Sequence, residues 1–359
     1  MKKLQKKQQE EENNEKILRQ RIFYDKYRSV NKNNLENDID DNYFNKDIYN
    51  KLKNISHDEE LANIILYGPD GVGKKTMSDI YLENIYGETV HNLRNKMYII
   101  NGSGGKQNEI YIKESNFHII IEPNNNNFDR YMIPEIVKEY AKKHPLYIFD
   151  DVRTFKIVQI NNLDNLSYYA QTSLRRTIEK YSKTCRFIFR CRSLSKVSEP
   201  LRSRCLCIHV PVQKPEKLLK WSKNICDLEK VNIHNDKLLE IIEKSNGNLI
   251  KILCMLNLFH VKNEIDNSYD KSIIILLDIV KNKCNIKLMR DEIYNIMKDF
   301  DGFKIIKDVT IKILNIVDDE FKQEKIINLL SDYEYRLTKA RRKIIHIEAY
   351  FINIYNILK

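Results

Sequence analysis

The sequence predicts an α/β protein whose core holds a parallel β-sheet, followed by a small helical unit and then a larger all-α unit. Up to about residue 211, short apolar runs typical of buried strands alternate with stretches of helical periodicity. The run FKIVQI at residues 155–160 is nearly continuously apolar, as in a strand that is covered on both faces of a parallel sheet. After Pro211 and Pro215 the periodicity is helical and little strand character remains.

The predicted elements follow one another at the spacing of strand–helix units. The helix near residue 170 has a buried face, because Ala170, Leu174 and Ile178 recur at intervals of four residues. Gly87 ends an earlier helix, and the stretch SNGN at 245–248 breaks a later one. In chain order, strands are predicted at residues 64–67, 97–100, 116–121, 155–160, 186–191 and 206–210, and helices at 77–86, 129–143 and around 170–178, with a long helical run at 332–358.

These changes of pattern divide the chain into four parts. A mixed-charge arm without a core-forming stripe occupies residues 1–22, and the α/β domain follows at 23–211. A small helical domain is predicted at 212–264 and a larger helical domain at 265–359.

Composition restricts the class of protein. The 359 residues include 61 lysines and arginines against 50 aspartates and glutamates, a formal net charge of +11, which is consistent with a polyanionic partner such as nucleic acid. Seven cysteines without a C-x-x-C pair support neither a disulfide framework nor a zinc site, so no metal centre of that kind is expected. The first residues lack an apolar segment, and no run of about 18 apolar residues occurs. We therefore expect a protein that is not secreted and has no membrane span.

The stretch GPDGVGKKT at residues 68–76 has the form of a phosphate-binding loop. It follows a predicted strand and opens a predicted helix, which is the context that such a loop requires. Its glycines let backbone N–H groups converge on phosphate oxygens, and the start of the helix adds a positive dipole. The sequence therefore predicts binding of ATP or ADP by Gly68, Pro69, Asp70, Gly71, Val72, Gly73, Lys74, Lys75 and Thr76.

One position of this loop departs from the usual pattern. Lys74 is expected to reach the β- and γ-phosphates, but the next residue is Lys75, where a hydroxyl normally binds Mg²⁺. Lys75 could place its own charge near the phosphates, or it could point away while Thr76 partly replaces the missing hydroxyl. Mg²⁺ binding is expected to be weak or absent in either case.

The second acidic motif of a phosphate-loop ATPase is also altered. At the end of FKIVQI, Asn161 and Asn162 stand where an aspartate for Mg²⁺ and a glutamate to activate water are expected. An amide cannot accept a proton at neutral pH. Asp164 lies too far along to replace either acid and is expected to cap the following helix. The pocket should bind nucleotide and hydrolyse it poorly or not at all.

Several segments together resemble one family, the small subunits of the eukaryotic-type sliding-clamp loader, replication factor C. The resemblance is carried by YDKYR at 24–28, LRRTIEKYSKTCRFIFRC at 174–191, PLRSRCLCIHVP at 200–211, SNGNLIKILCML at 245–256, and YEYRL and HIEAY at 333–337 and 346–350. The G-K-K-T loop is similar to that of the subunit at the end of the five-subunit arc. The resemblance spans roughly residues 23–357 and leaves out the N-terminal arm.

The resemblance implies an AAA+ P-loop core, a helical lid and a C-terminal collar domain through which the subunits assemble. It implies a hetero-pentamer with other clamp-loader subunits, which opens a ring-shaped sliding clamp and places it on primer–template DNA during DNA replication. The implied location is the nucleus, or a cytoplasmic replication factory if the protein is viral.

Residue by residue, the resemblance assigns Tyr24, Tyr27 and Arg28 to the stretch that lies against the adenine and ribose. Arg204 matches the arginine that reaches into the neighbouring subunit's ATP site. Arg192 stands where the family has a sensing asparagine, and Ile250 where the lid usually supplies an arginine. Both departures weaken the chain's own site further.

Other interpretations remain open at this point. Arg204 could be a surface charge, and Arg175 and Arg176 could form a solvated helix face or part of a DNA-contacting or intersubunit surface. An autonomous P-loop helicase or repair ATPase is a different class of function, against which Asn161 and Asn162 argue. A scaffold with an empty pocket is a third.

Overall fold

The computed structural model describes residues 23–24, 26–27, 44–58, 61–101, 107–123, 129–142, 155–262, 268–282, 285–298, 300–340 and 342–359. They divide into two compact units, the first ending at residue 263 and the second beginning at residue 264. The predicted N-terminal arm at 1–22 lies outside the described residues.

The first unit is built on a seven-stranded sheet with the strand order β2-β3-β4-β5-β6-β1-β7. The five strands from β4 to β7 in this order are parallel, so the predicted parallel sheet is confirmed. The strands are β1 Ile64–Tyr67, β2 Arg94–Asn101, β3 Gln107–Glu114, β4 His118–Ile121, β5 Lys156–Ile160, β6 Cys185–Cys191 and β7 Leu206–His209.

The other end of the sheet carries an antiparallel hairpin that was not predicted. Strands β2 and β3 pair over eight residues each, and β3 continues antiparallel to β4. Within QNEIYIKE, Ile110 and Ile112 alternate with more exposed neighbours, as in a strand with one covered face. Ile112 is buried, whereas Tyr111 beside it is 69% exposed.

Helices cover both faces of the parallel strands, which explains their continuous apolar sequences. In β1, Ile64 and Leu66 face one core cluster, whereas Ile65 faces the other. The α-helices of this unit whose bounds are described are α1 Lys46–His57, α2 Lys74–Tyr86, α3 Asp129–Met132, α4 Lys138–Lys142, α5 Tyr168–Lys180, α6 Glu199–Arg202, α7 Pro215–Leu228, α8 Asn235–Ser245 and α9 Leu249–Lys262.

Helix α5 has the buried face that the sequence predicts, with Ala170, Leu174 and Ile178 in the core. Its cap differs from the prediction. Ser167 precedes the helix and accepts a hydrogen bond from the Ala170 N–H at 3.4 Å. Asp164 lies three residues earlier in a 3-10 turn, and its buried Oδ1 has no hydrogen-bond partner among the described residues. The expectation that Asp164 caps this helix is therefore wrong.

The second unit contains only helices in its described residues: α10 Ser268–Asn282, α11 Ile286–Met297, α12 Gly302–Leu314, α13 Glu320–Lys339 and α14 Lys343–Leu358. The run predicted at 332–358 is two helices, because the backbone is extended at Ala340. Tyr333 and Tyr350 are buried in this unit's core, as expected for packing residues. None of the helices in the described ranges combines the length and the apolar character needed to cross a lipid bilayer.

Candidate functional site

A cavity of about 290 Å³ lies in the first unit, where the phosphate loop meets the ends of β5 and β6 and the start of α9. Ligands of open α/β sheets bind at the carboxyl ends of the strands, which is where this cavity opens. Twelve residues singled out from the sequence line it: Tyr24, Tyr27, Asp70, Gly71, Gly73, Lys74, Lys75, Thr76, Asn161, Asn162, Arg192 and Ile250.

The phosphate loop is held between two other segments by close backbone contacts. A Cβ on Gly68 would lie 2.2 Å from the carbonyl oxygen of Val210, at the end of β7. Gly71 has a φ of +75°, and a Cβ there would lie 1.9 Å from Oδ1 of Asn248. The N–H of Leu249, the first residue of α9, donates to the Gly71 carbonyl at 3.0 Å. Glycine is therefore favoured at both positions. The hydrogen bond from Leu249 also ties the loop to the start of α9.

The remaining loop residues are arranged around the start of α2. Val72 is buried, and its side chain belongs to the core rather than to the cavity. The Nζ of Lys74 donates to the carbonyl oxygens of Pro69, at 2.7 Å, and of Gly68. Burial lowers the pKa of Lys74, and the charge of Asp70 partly opposes that shift. Lys75 is exposed and lines the cavity together with Thr76.

The floor of the cavity contains a polar chain that the sequence reasoning missed. The buried Arg190 donates from Nε to Oδ1 of Asn161 at 2.6 Å, and its Nη2 donates to the same oxygen. Asn161 in turn donates from Nδ2 to Oε1 of Glu122 at 2.9 Å. The arginine between Phe189 and Cys191, near the carboxyl end of β6, was the available signal for Arg190. Asn162 beside them is exposed, with a left-handed φ of 51° that asparagine tolerates.

Arg192 lies at the mouth of the cavity, directly after β6. Its Nε contacts both carboxylate oxygens of Asp70, at 3.0 and 2.9 Å. Both side chains are largely exposed, so this ion pair contributes little to stability. Ile250 also lines the cavity and brings no charge to it.

The aromatic side of the cavity is formed by Tyr24, Tyr27 and Trp221, the chain's only tryptophan. Tyr27 donates its hydroxyl to Oε1 of Glu229 at 2.5 Å, and burial raises its pKa. Aromatic faces of this kind can stack on a nucleotide base. The third residue predicted here, Arg28, lies outside the described residues.

Arg204 does not line this cavity. It lies two residues before β7, and its Nη2 is 2.6 Å from Oε1 of Glu179 on α5. Its Nη1 donates to the carbonyl of Pro200 at 2.7 Å. Arg175 lies beside the same carboxylate, with Nε at 3.6 Å, and Arg176 is exposed on the same helix. The structure therefore groups Arg204 with Arg175 rather than with the phosphate loop.

An Mg²⁺ ion, which the fold implies, does not fit the described residues of this site. The loop position that normally supplies a hydroxyl is Lys75, and Oδ1 of Asn161 already accepts from a guanidinium. A nucleotide fits better, because the cavity combines a glycine cradle, the start of α2 and a set of cationic side chains.

No family model matches the chain. A protein of Acanthamoeba polyphaga mimivirus named as a replication factor C small subunit is 37% identical, over 92% of this chain and 90% of that protein. Replication factor C subunit 3 of Homo sapiens is 31% identical, over 92% of this chain and 94% of that protein. The solved DNA polymerase III gamma subunit-related protein of Thermotoga maritima is 13% identical, over 87% of this chain and 99% of that chain, with a TM-score of 0.49. The identities and coverages of the first two of these proteins show that the chain belongs to the replication factor C small-subunit family.

Proposed function

We propose that this chain is a small subunit of a pentameric clamp loader, which opens a ring-shaped sliding clamp and places it on primer–template DNA. Family membership supports this proposal, because this chain matches proteins named as replication factor C subunits over nearly their whole length. The chain's contribution is a nucleotide-holding core, a collar domain at 265–359 and an arginine for a neighbouring site.

The cavity of the first unit holds ATP or ADP. Its glycine loop opens α2, so that N–H groups at the start of a 13-residue helix face the phosphates. Lys74 lies within the loop, and Tyr24, Tyr27 and Trp221 offer aromatic surface for the base. These features support structural binding of a nucleotide.

The same cavity hydrolyses nucleotide poorly or not at all. The observation that carries this part of the proposal is the pairing of Asn161 with Arg190. A metal-binding acid and a general base are both replaced by amides at the end of β5, and a guanidinium occupies the amide oxygen. Hydrolysis in the assembled complex then takes place in other subunits.

Arg204 acts in trans on one of those subunits. Its side chain is exposed and held at the start of β7, away from the chain's own cavity. A guanidinium brought to a transferring phosphoryl group stabilises the charge that develops there. Arg175 and Arg176 continue the same basic surface and contribute to an intersubunit or DNA contact.

The net charge of +11 supports contact with the DNA backbone rather than with particular bases. Binding to primer–template DNA is therefore independent of sequence and weakens as salt rises. The site of action is wherever the DNA is replicated, the nucleus or a viral replication factory.

Co-purification tests this proposal directly. The tagged chain should bring down four related ATPases and a ring-shaped clamp, and by itself it should show no appreciable ATP turnover. Appreciable turnover by the isolated chain that Lys74→Ala abolishes would instead identify an autonomous ATPase. Equilibrium dialysis that detects no bound nucleotide at millimolar ATP would identify a scaffold with an empty pocket.

A further inference from the structure

Arg190 is a buried cation in the floor of the proposed nucleotide cavity. It lies on β6, the strand between β5 and β1, and pairs in register with Leu66, just before the phosphate loop begins. Its side chain is 8% exposed and lines the cavity. The guanidinium therefore reaches the carboxyl ends of the strands, where nucleotide phosphates are bound in this class of fold.

Arg190 also takes the oxygen that a metal ion would need. Mg²⁺ is bound by hard oxygen ligands in near-octahedral geometry and tolerates few substitutes. At the end of β5 the first such position is Asn161, whose Oδ1 accepts from both Nε and Nη2 of Arg190. A metal ion could bind that oxygen only by displacing a buried guanidinium and lying beside its charge.

The phosphate loop offers no equivalent of that ligand: Thr76 also lines the cavity, but it comes one residue after the usual position, which turns its side chain by about 100° around α2. Lys75 stands in place of the metal-binding hydroxyl and lines the cavity. The next serine in α2 is Ser78, which is fully buried, donates to the Lys75 carbonyl at 2.8 Å and accepts from Gln159 at 3.1 Å. Ser78 therefore belongs to the packing between α2 and β5 and is not available to a metal.

The charges that line the cavity suit an anion without its metal. Among the described residues that line it, Lys74, Lys75, Arg190 and Arg192 are cationic, whereas only Asp70 and Glu122 are acidic. Guanidinium groups bind phosphate oxygens through charge-assisted hydrogen bonds and need no metal to bridge them.

We propose that this cavity takes nucleoside di- or triphosphates in their metal-free form, with the Arg190 guanidinium compensating the phosphate charge in place of Mg²⁺. The inference rests on the proposed nucleotide site and specifies the ionic form of its ligand. Mg²⁺ then competes with the protein for the nucleotide rather than assisting its binding.

The test measures ADP and ATP affinity of the 359-residue chain in EDTA and in excess Mg²⁺. Trp221 is the only tryptophan and lines the cavity, so its fluorescence reports binding, and calorimetry gives an independent value. We expect affinity in EDTA to equal or exceed that in Mg²⁺. Arg190→Met should weaken binding in EDTA by about tenfold or more, the loss expected for a charged hydrogen bond.

Arg186→Met is the matched control. Arg186 lies on the same strand and carries the same charge, but its Nε donates to the Leu61 carbonyl and its side chain does not line the cavity. This variant should leave both affinities unchanged, which separates a local effect of Arg190 from a change in net charge.

Each outcome is decisive. Nucleotide binding that strengthens when Mg²⁺ is added overturns the metal-free inference but leaves the proposed nucleotide site standing. Absence of binding under both conditions overturns the nucleotide site itself. Unchanged EDTA affinity in a folded Arg190→Met variant removes Arg190 from the site. The wild-type comparison needs no variant and decides the question even if Arg190→Met does not fold.

Discussion

The guanidinium of Arg204 lies 2.6 Å from the carboxylate of Glu179, which it shares with Arg175. Arg204 comes from the turn before β7, and Glu179 from the last turn of α5. Both side chains remain accessible to solvent. The pair therefore orients Arg204, and separating the guanidinium from Glu179 costs little free energy. An arginine held in this way is presented at the surface of the subunit.

Replacement of Arg204 is predicted to impair a neighbour rather than the chain itself. Arg204→Ala should lower ATP turnover at the adjacent site by about a thousandfold or more, the range typical of such an arginine. Total turnover of the assembled complex falls by that site's share, and gel filtration should still show an intact complex. Arg202→Ala is the matched control, because Arg202 is exposed in the same segment. Unchanged turnover in the Arg204→Ala complex would show that the arginine has no such role.

Loss of the carboxylate should have a different effect. Glu179→Gln removes the charge that holds Arg204. The free energy of unfolding should change by less than about 1 kcal/mol, because the pair is exposed. Since the guanidinium must leave Glu179 to reach a phosphate, turnover of the complex should be no lower than in the wild type. A drop as large as that of Arg204→Ala would mean that Glu179 is needed to position the arginine.

Gly71 and Gly87 have similar positive φ angles, so together they separate backbone strain from steric contact. Gly71 has a φ of +75° and Gly87 a φ of +77°, but an added Cβ meets Asn248 only at Gly71 and finds open space at Gly87. Each alanine substitution should cost about 1–3 kcal/mol of stability, because residues with a side chain rarely adopt a backbone with positive φ. Only Gly71→Ala should also abolish nucleotide binding, measured by Trp221 fluorescence. Equal affinities in the two variants would contradict the close contact.

Stability should depend on pH through His118, which is buried in β4 beside Ser115. Burial lowers the pKa of His118 from its usual 6.5 to about 4, with Asp79 partly opposing the shift. His118 therefore takes up a proton near pH 6.5 in the unfolded chain, but only near pH 4 in the folded chain. Stability worth about 3 kcal/mol should be lost as the pH falls through this range.

Chemical unfolding of the wild type and His118→Gln between pH 7 and pH 4 isolates this contribution from that of the carboxylates. The variant should show a shallower loss of stability with falling pH. His57→Gln serves as the control, since His57 is exposed and its charge does not act on His118. Parallel curves for all three proteins would contradict a depressed pKa at His118.

Features encoded by neighbouring residues could be predicted from the sequence. The strand at 64–67 matches β1 residue for residue, Gly87 follows the end of α2, and Asn246 and Gly247 separate α8 from α9 with positive φ angles. Each of these signals lies within a few residues of the structure that it predicts. Glycine and asparagine tolerate a backbone with positive φ, so they indicate the ends of helices locally. The phosphate loop belongs to the same class.

The features that were missed depend on partners far away in the chain. Arg190 meets Asn161 across 29 residues, and Asn161 meets Glu122 across 39. Nothing local shows that an arginine in a strand will find an amide at the end of the adjacent strand. Strand β3 was missed for a related reason, since its pairing with β2 decides its structure more than its composition does.

Arg204 and the phosphate loop lie at opposite ends of one pair of strands. Strands β1 and β7 run in the same direction, with Ile64 beside Leu206 and Tyr67 beside His209. Arg204 precedes one end of this pair, and the phosphate loop follows the other end, so the arginine cannot serve its own cavity. Contacts that use both features are heterologous and have a direction. In an open arc of subunits, one terminal subunit gives its arginine to its single neighbour. No neighbour's arginine then enters the cavity of that terminal subunit. Acids at positions 161 and 162 of such a member would have no reaction to catalyse.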